Sequence, residues 1–309
     1  MQTATDWPTT RWELSAPESY VLLHGVDQSG AEPFKLAVME LVARQSLAIA
    51  DVETRSFFGR IRHTSVLTSG AKGAAPAEAS LAAVWQLFQS VPLKVFPNGT
   101  SGIAVADFAQ AAQRRYQPLS RYAVQDVVPT LLIRGLLRRE ERRVLFLFST
   151  TKYVLTLEGS AARADLERRI DLGQAQLPGW AQSDPNRALM YAGLAGASLL
   201  LMPMVFPELG DLHRRLRESA SGSDSGTSIM ASNTPDGDDD LVPDESLSVD
   251  PLGAELAALD LGSFDFGGID FGAFADMDAT FSAIDSGVDS GGGDGGGDGG
   301  GGDGGGGGD

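Results

Sequence analysis

The sequence predicts an α+β protein, mainly α, whose body is two like-patterned copies and whose end is a disordered acidic tail. Three observations predict it. Basic residues stop at Arg217, stretches beginning at Phe34 and Val124 share one pattern, and residues 219–309 are low in complexity. The formal charge of -17 is unevenly placed: 24 Lys and Arg meet 21 carboxylates up to Glu218, while the remaining 20 carboxylates have no base beside them. A body near +3 joined to a polyanion can be shielded by it, less so as salt rises. Without cysteine, disulfides, thiolate catalysis and Cys-ligated zinc are excluded. The first twenty residues lack a basic stretch followed by an apolar run, so no secretory signal is expected and a cytoplasmic location is the default.

In the first copy Phe34, Val38, Leu41 and Val42 recur at helical steps, and in the second Val127, Val128, Leu131 and Leu132 do so, with Gly135 where the helix should stop. Leu41, Arg44 and Leu47 align with Leu131, Arg134 and Leu137 at an offset of 90. Val66, Leu67, Thr68 and Gly70 align with Val154, Leu155, Thr156 and Gly159 at 88 to 89. Such spacing reads as a duplication rather than a short-period solenoid. After each helix come charged residues and then the β-rich segments "SFFGRIRHTSVL" and "RVLFLFSTTKYVL", with "LTSG" or "LTLEG" opening another helix. The expected divisions are a leader over 1–18, one copy over 19–90, a linker over 91–103, the other copy over 104–172, an apolar helical region over 173–218 and the tail over 219–309.

Leu131, Gly135, Leu136 and Leu137, then Tyr153, Leu155, Thr156 and Gly159, resemble the helix end and strand end of the winged helix-turn-helix superfamily, in the MarR-like and PadR-like style. Gln45 and Ser65 depart from that pattern in the first copy. The resemblance implies tandem winged-helix-like domains. A fainter similarity is to uncharacterised bacterial membrane proteins with glycine-rich tails. A DNA-reading helix places basic and amide side chains in the major groove. Here that helix offers only Arg121, Gln125 and Thr130 beside Asp126 and Pro129, and the first copy offers Glu32, Lys35 and Glu40. The polyanion-binding candidates are Arg138, Arg139, Arg142 and Arg143 at the start of the second wing, with Arg60 and Arg62 in the first. Glu140 and Glu141 interrupt the cluster, and the body's charge falls short of the usual DNA-binding footprint.

Ala188–Phe206 carries no charge over nineteen residues, enough to span a bilayer core of about 30 Å or to form a buried helix. Asp184 and Pro185 suit its start. In the tail, Leu256, Leu259, Leu261, Phe264, Phe266, Ile269, Phe271, Phe274 and Phe281 alternate with aspartates, a composition that suits docking on a partner protein. The named docking candidates are Phe264, Phe266, Ile269, Phe271 and Phe274; the blander alternative is a segment that packs on the body. The closing glycine run reads as a spacer.

His24, His63 and His213 are scattered, "DFG" at Asp265–Gly267 lacks the other kinase motifs, and "DGDDD" at Asp236–Asp240 lacks the turn glycine and closing glutamate of a calcium loop. No enzyme, metal, cofactor or small-molecule ligand is expected. The function expected is protein-protein docking or regulation, with another protein or the chain's own tail as partner. The alternatives are a DNA-binding transcriptional regulator autoinhibited by its tail, and a single-span membrane adaptor.

Overall fold

A computed structural model describes residues 13–55, 61–144, 148–202, 277 and 279–283. Helices α1 (Ala16–His24) and α2 (Glu32–Ala43) lead into strands β1 (Leu47–Arg55) and β2 (Ile61–Ser69), then α3 (Ala79–Ser90). Short strands β3 (Lys94–Val95) and β4 (Ser101–Ala104) precede α4 (Val105–Tyr116). A π-helical turn (Ala123–Val127) runs into α5 (Val128–Ile133), then β5 (Leu137–Val144), β6 (Phe148–Leu155), α6 (Leu157–Ser183) and α7 (Pro185–Ala195). The result is a mainly helical α+β fold with two antiparallel sheets, one of order β1-β2-β4-β3 and one a β5-β6 hairpin.

The two copies are alike down to single hydrogen bonds. At the end of α2 the Gln45 and Ser46 N–H groups donate to the carbonyls of Val42 and Leu41; at the end of α5 those of Gly135 and Leu136 donate to Leu132 and Leu131. Both are Schellman caps, and each needs a left-handed residue after the helix. Gln45 has φ 59° and Gly135 has φ 70°. Each hairpin then closes onto its cap. A Cβ on Gly70 would lie 2.1 Å from the Gln45 carbonyl oxygen, and one on Gly159 would lie 1.9 Å from that of Leu136. The aligned glycines are thus required by backbone approach.

The hairpins begin earlier than the sequence pattern suggests. The charged residues after each helix are themselves β1 and β5, because alternate side chains of a strand with one wet face can be charged. Residues 91–103 contain β3 and much of β4, and β4 joins the first sheet through Val66–Ala104 and Leu67–Ile103. The stretch that would be the DNA-reading helix is instead a π turn followed by six helical residues, and Pro129 in it can donate no N–H to the ladder. Lys35 and Glu40, two of the polar groups that the first copy's helix would offer DNA, are buried.

One hydrophobic core draws on both copies, from Val21, Phe34 and Leu41 to Phe108, Tyr122, Leu131 and Ala162. Phe281 and Met277 belong to it as well, at 0% and 1% exposure. A satellite core holds Leu177 and Trp180 of α6 against Ala188, Tyr191 and Ala195 of α7. The apolar run therefore begins inside the eleven-residue helix α7, which stops before Gly196 at φ 52°, and continues as 3-10 turns over Gly196–Leu201, where Leu200 packs with Ala16 and Leu36. Among the described residues no helix is long and apolar enough to cross a membrane, which corrects the single-span reading. Residues 203–206 of that run lie outside the described residues.

Candidate docking surface

The β5-β6 hairpin carries the arginines singled out above. In the register Arg138 faces Val154, Arg139 faces Tyr153, Glu140 faces Lys152 and Glu141 faces Thr151. Residues two apart share a face, so each glutamate lies along the strand from an arginine. Arg138 pairs with Glu140 at 2.7 Å, and Arg139 with Glu141 at 3.1 Å. All four side chains are substantially exposed, so these pairs stabilise little and can be exchanged for a partner's carboxylates. Arg142 and Arg143 follow in the same strand, β5, while Arg62 is in β2. Arg60 lies outside the described residues, as do Phe264, Phe266, Ile269, Phe271 and Phe274. The arginines of the second copy thus come together on one hairpin.

The base of this hairpin is apolar and exposed. Ile133, at the end of α5, is 87% exposed, and Leu157, at the start of α6, is 90% exposed. The Thr156 hydroxyl joins these two ends by donating to the Gly135 carbonyl at 2.7 Å, and it also caps α6 by accepting from the Gly159 N–H. Large apolar side chains left this bare beside a basic strand suit contact with another macromolecule. Each lies off the buried face of its own helix, which is set by Val128 and Leu131 in α5 and by Ala162 and Leu166 in α6.

Beneath the surface lies a charge cluster that sequence inspection missed. Arg44, aligned with Arg134 in the repeat, donates to Glu78 at 2.7 Å and pairs with buried Glu40. Glu40 also accepts the Ala16 N–H at 2.7 Å. Arg134 lies 3.7 Å from buried Glu18, whose other bond is from the Ser15 N–H in the cap of α1. Three carboxylates thus face two guanidiniums. Burial, opposed by Arg44 and the Ala16 N–H, pushes the Glu40 carboxyl up to about 7, and burial raises Glu18 as well. A cavity of about 270 Å³ adjoins the cluster, lined by Glu13, Ser19, Arg44, Glu78, Arg169 and Ser198 among others. Its acids and bases compensate each other, and Arg169 is held by Asp165 at 2.6 Å.

Fold and surface together define a body of two helix-hairpin units with an exposed face of mixed basic and apolar residues. The family model for Golgi phosphoprotein 3 (GPP34) matches residues 37–233, and the chain belongs to that family. The match overturns both the winged helix-turn-helix resemblance and the fainter one to bacterial membrane proteins. The residues behind the first resemblance record a Schellman cap and a close backbone approach, features open to any fold that sets an amphipathic helix on a hairpin. No curated protein matches the chain.

Proposed function

We propose that the chain is a non-enzymatic docking protein whose contact face is the β5-β6 hairpin and its apolar base. The observation that carries this reading is the exposure of Ile133 and Leu157 beside Arg138 and Arg139. Such a face suits a protein segment that alternates apolar residues with carboxylates: the apolar groups cover the two bare side chains and the acids displace Glu140 and Glu141 from their arginines. The chain's own stretch from Leu256 to Phe274 has that composition and would act as a competitor in cis. Membership of the Golgi phosphoprotein 3 family is compatible with work through partner contacts at a membrane-bearing organelle.

The test is fluorescence anisotropy of a labelled peptide of residues 256–276 against the full chain. Binding should weaken at least tenfold in Arg138→Glu/Arg139→Glu, should weaken again in Ile133→Glu/Leu157→Glu, and should fall as salt rises from 50 to 200 mM, as expected for screened exposed charges. Equal affinity for the wild type and both variants would remove the hairpin as the contact face.

A further inference from the structure

The segment around Phe281 sits where a ligand would sit. Seventy-four residues, 203–276, separate it in sequence from the end of the body, and it lies beyond the family match, which ends at 233. Residues 277 and 279–283 are helical. Met277 and Phe281, four apart and so on one helix face, are buried, while Ala279 and Ser282 are exposed. The Phe281 ring meets Phe34 of α2 at 5.5 Å between centroids and Phe108 of α4 at 6.5 Å, edge-on to the latter. Phe34 is itself ringed by Tyr116 and Tyr122 at 5.8 and 5.3 Å. At the rim, the Lys35 ammonium donates to the Ser282 hydroxyl at 2.9 Å while holding Glu32 at 2.7 Å.

We propose that this aromatic groove between α2 and α4 is an exchangeable binding site for a short amphipathic helix, and that Met277–Ala283 is its resident ligand in cis. The partner that would replace it is a protein segment with large apolar residues four apart and acidic or hydroxyl side chains to meet Lys35. Three observations argue for exchange. A helix this short does not hold its shape in water, so it is ordered only by the groove. Among its described residues it buries two large side chains, where an integral core helix contributes a whole stripe. Seventy-four residues separate it in sequence from the end of the body, and the effective concentration of a tethered ligand falls with such a separation, which favours an outside competitor. Phe34 and Phe108 cannot stay bare once the segment leaves, so release prepares the groove for the next helix. The site uses elements other than the β5-β6 hairpin and stands or falls independently of the function proposed above.

The absence of cysteine provides a clean test on the full chain. Glu32 and Ser282 share one ammonium, so Glu32→Cys with Ser282→Cys brings two thiols within reach of a short bismaleimide. Cross-linking should give an internally linked monomer. Adding Phe281→Ala should cut its yield about tenfold, and millimolar peptide 274–286 should compete it away. Cross-linked dimers in place of monomers would overturn the cis arrangement. A link that persists against the peptide, or a body that unfolds when Phe281 is replaced, would make the segment plain core and overturn the site.

Discussion

The two copies end their helices with the same cap and bring a glycine against a backbone oxygen next to it, Gln45 in one and Leu136 in the other, yet they hold the arginine after the helix differently. Arg44 is drawn inward between Glu40 and Glu78 and is one quarter exposed, whereas Arg134 is about one third exposed and touches Glu18 only at 3.7 Å. The first hairpin is extended into a four-stranded sheet by β4 and β3; the second stays a lone ribbon edged with arginine. One copy is thus built into a larger sheet, and the other presents its hairpin to solvent. The difference comes from what each copy was given to cover it.

The largest expected effect breaks that asymmetry. Arg44→Ala strands two carboxylates in or near the core and should cost about 3–5 kcal/mol, the usual penalty for removing one partner of a buried ion pair. Arg134→Ala loses a 3.7 Å pairing with buried Glu18 and a bond to the Glu13 carbonyl, and should cost less, about 1–2 kcal/mol. Urea unfolding of both variants decides the point: equal losses would mean that the copies share the load.

Next in size is a dependence on pH. Glu40 has a folded value of about 7 against 4.5 for the free side chain. The folded state therefore binds the extra proton, and the stability it contributes is complete below pH 4.5 and lost as pH rises through 7. At about 1.4 kcal/mol per unit, the loss approaches about 3 kcal/mol. Burial of Glu18 acts in the same direction. In Glu40→Gln this part of the slope should vanish, so the stability difference between wild type and variant, followed by thermal melts from pH 4 to 8, should change most between pH 5 and 7. A constant difference would show that the Arg44 contact keeps Glu40 ionised throughout.

Much of the repeat was readable from sequence because caps and close approaches are local. Leu131, Gly135 and Gly159 mark a helix end and a backbone contact by residue type alone. What was not readable depends on distant partners. Glu40 resembles any surface glutamate until the Ala16 N–H and Arg44 are placed on it, and Lys35 resembles any exposed lysine until the chain returns at Ser282. The strands were misjudged at their starts because β1 and β5 carry charge where a core strand would carry apolar residues. Phe281 was grouped with the other apolar tail residues that alternate with aspartate, and composition could not single it out as one the core admits.

The smallest effect sharpens the comparison to a single backbone angle. Gln45 and Gly135 occupy the same cap position at φ 59° and 70°, so only the first bears the cost of a side chain in the left-handed region. Space does not explain the choice, since a Cβ on Gly135 would meet nothing closer than the Glu158 carboxylate at 3.8 Å. The difference is conformational, and the exchange should therefore be nearly reciprocal. Gln45→Gly should stabilise by up to about 1 kcal/mol, reduced by the extra freedom glycine brings to the unfolded chain, and Gly135→Gln should destabilise by about 1 kcal/mol. The shift in urea midpoint at constant slope measures both. If Gln45→Gly instead destabilises, the Gln45 side chain contributes more than its backbone costs, and the first copy's cap is held by contacts that the second lacks.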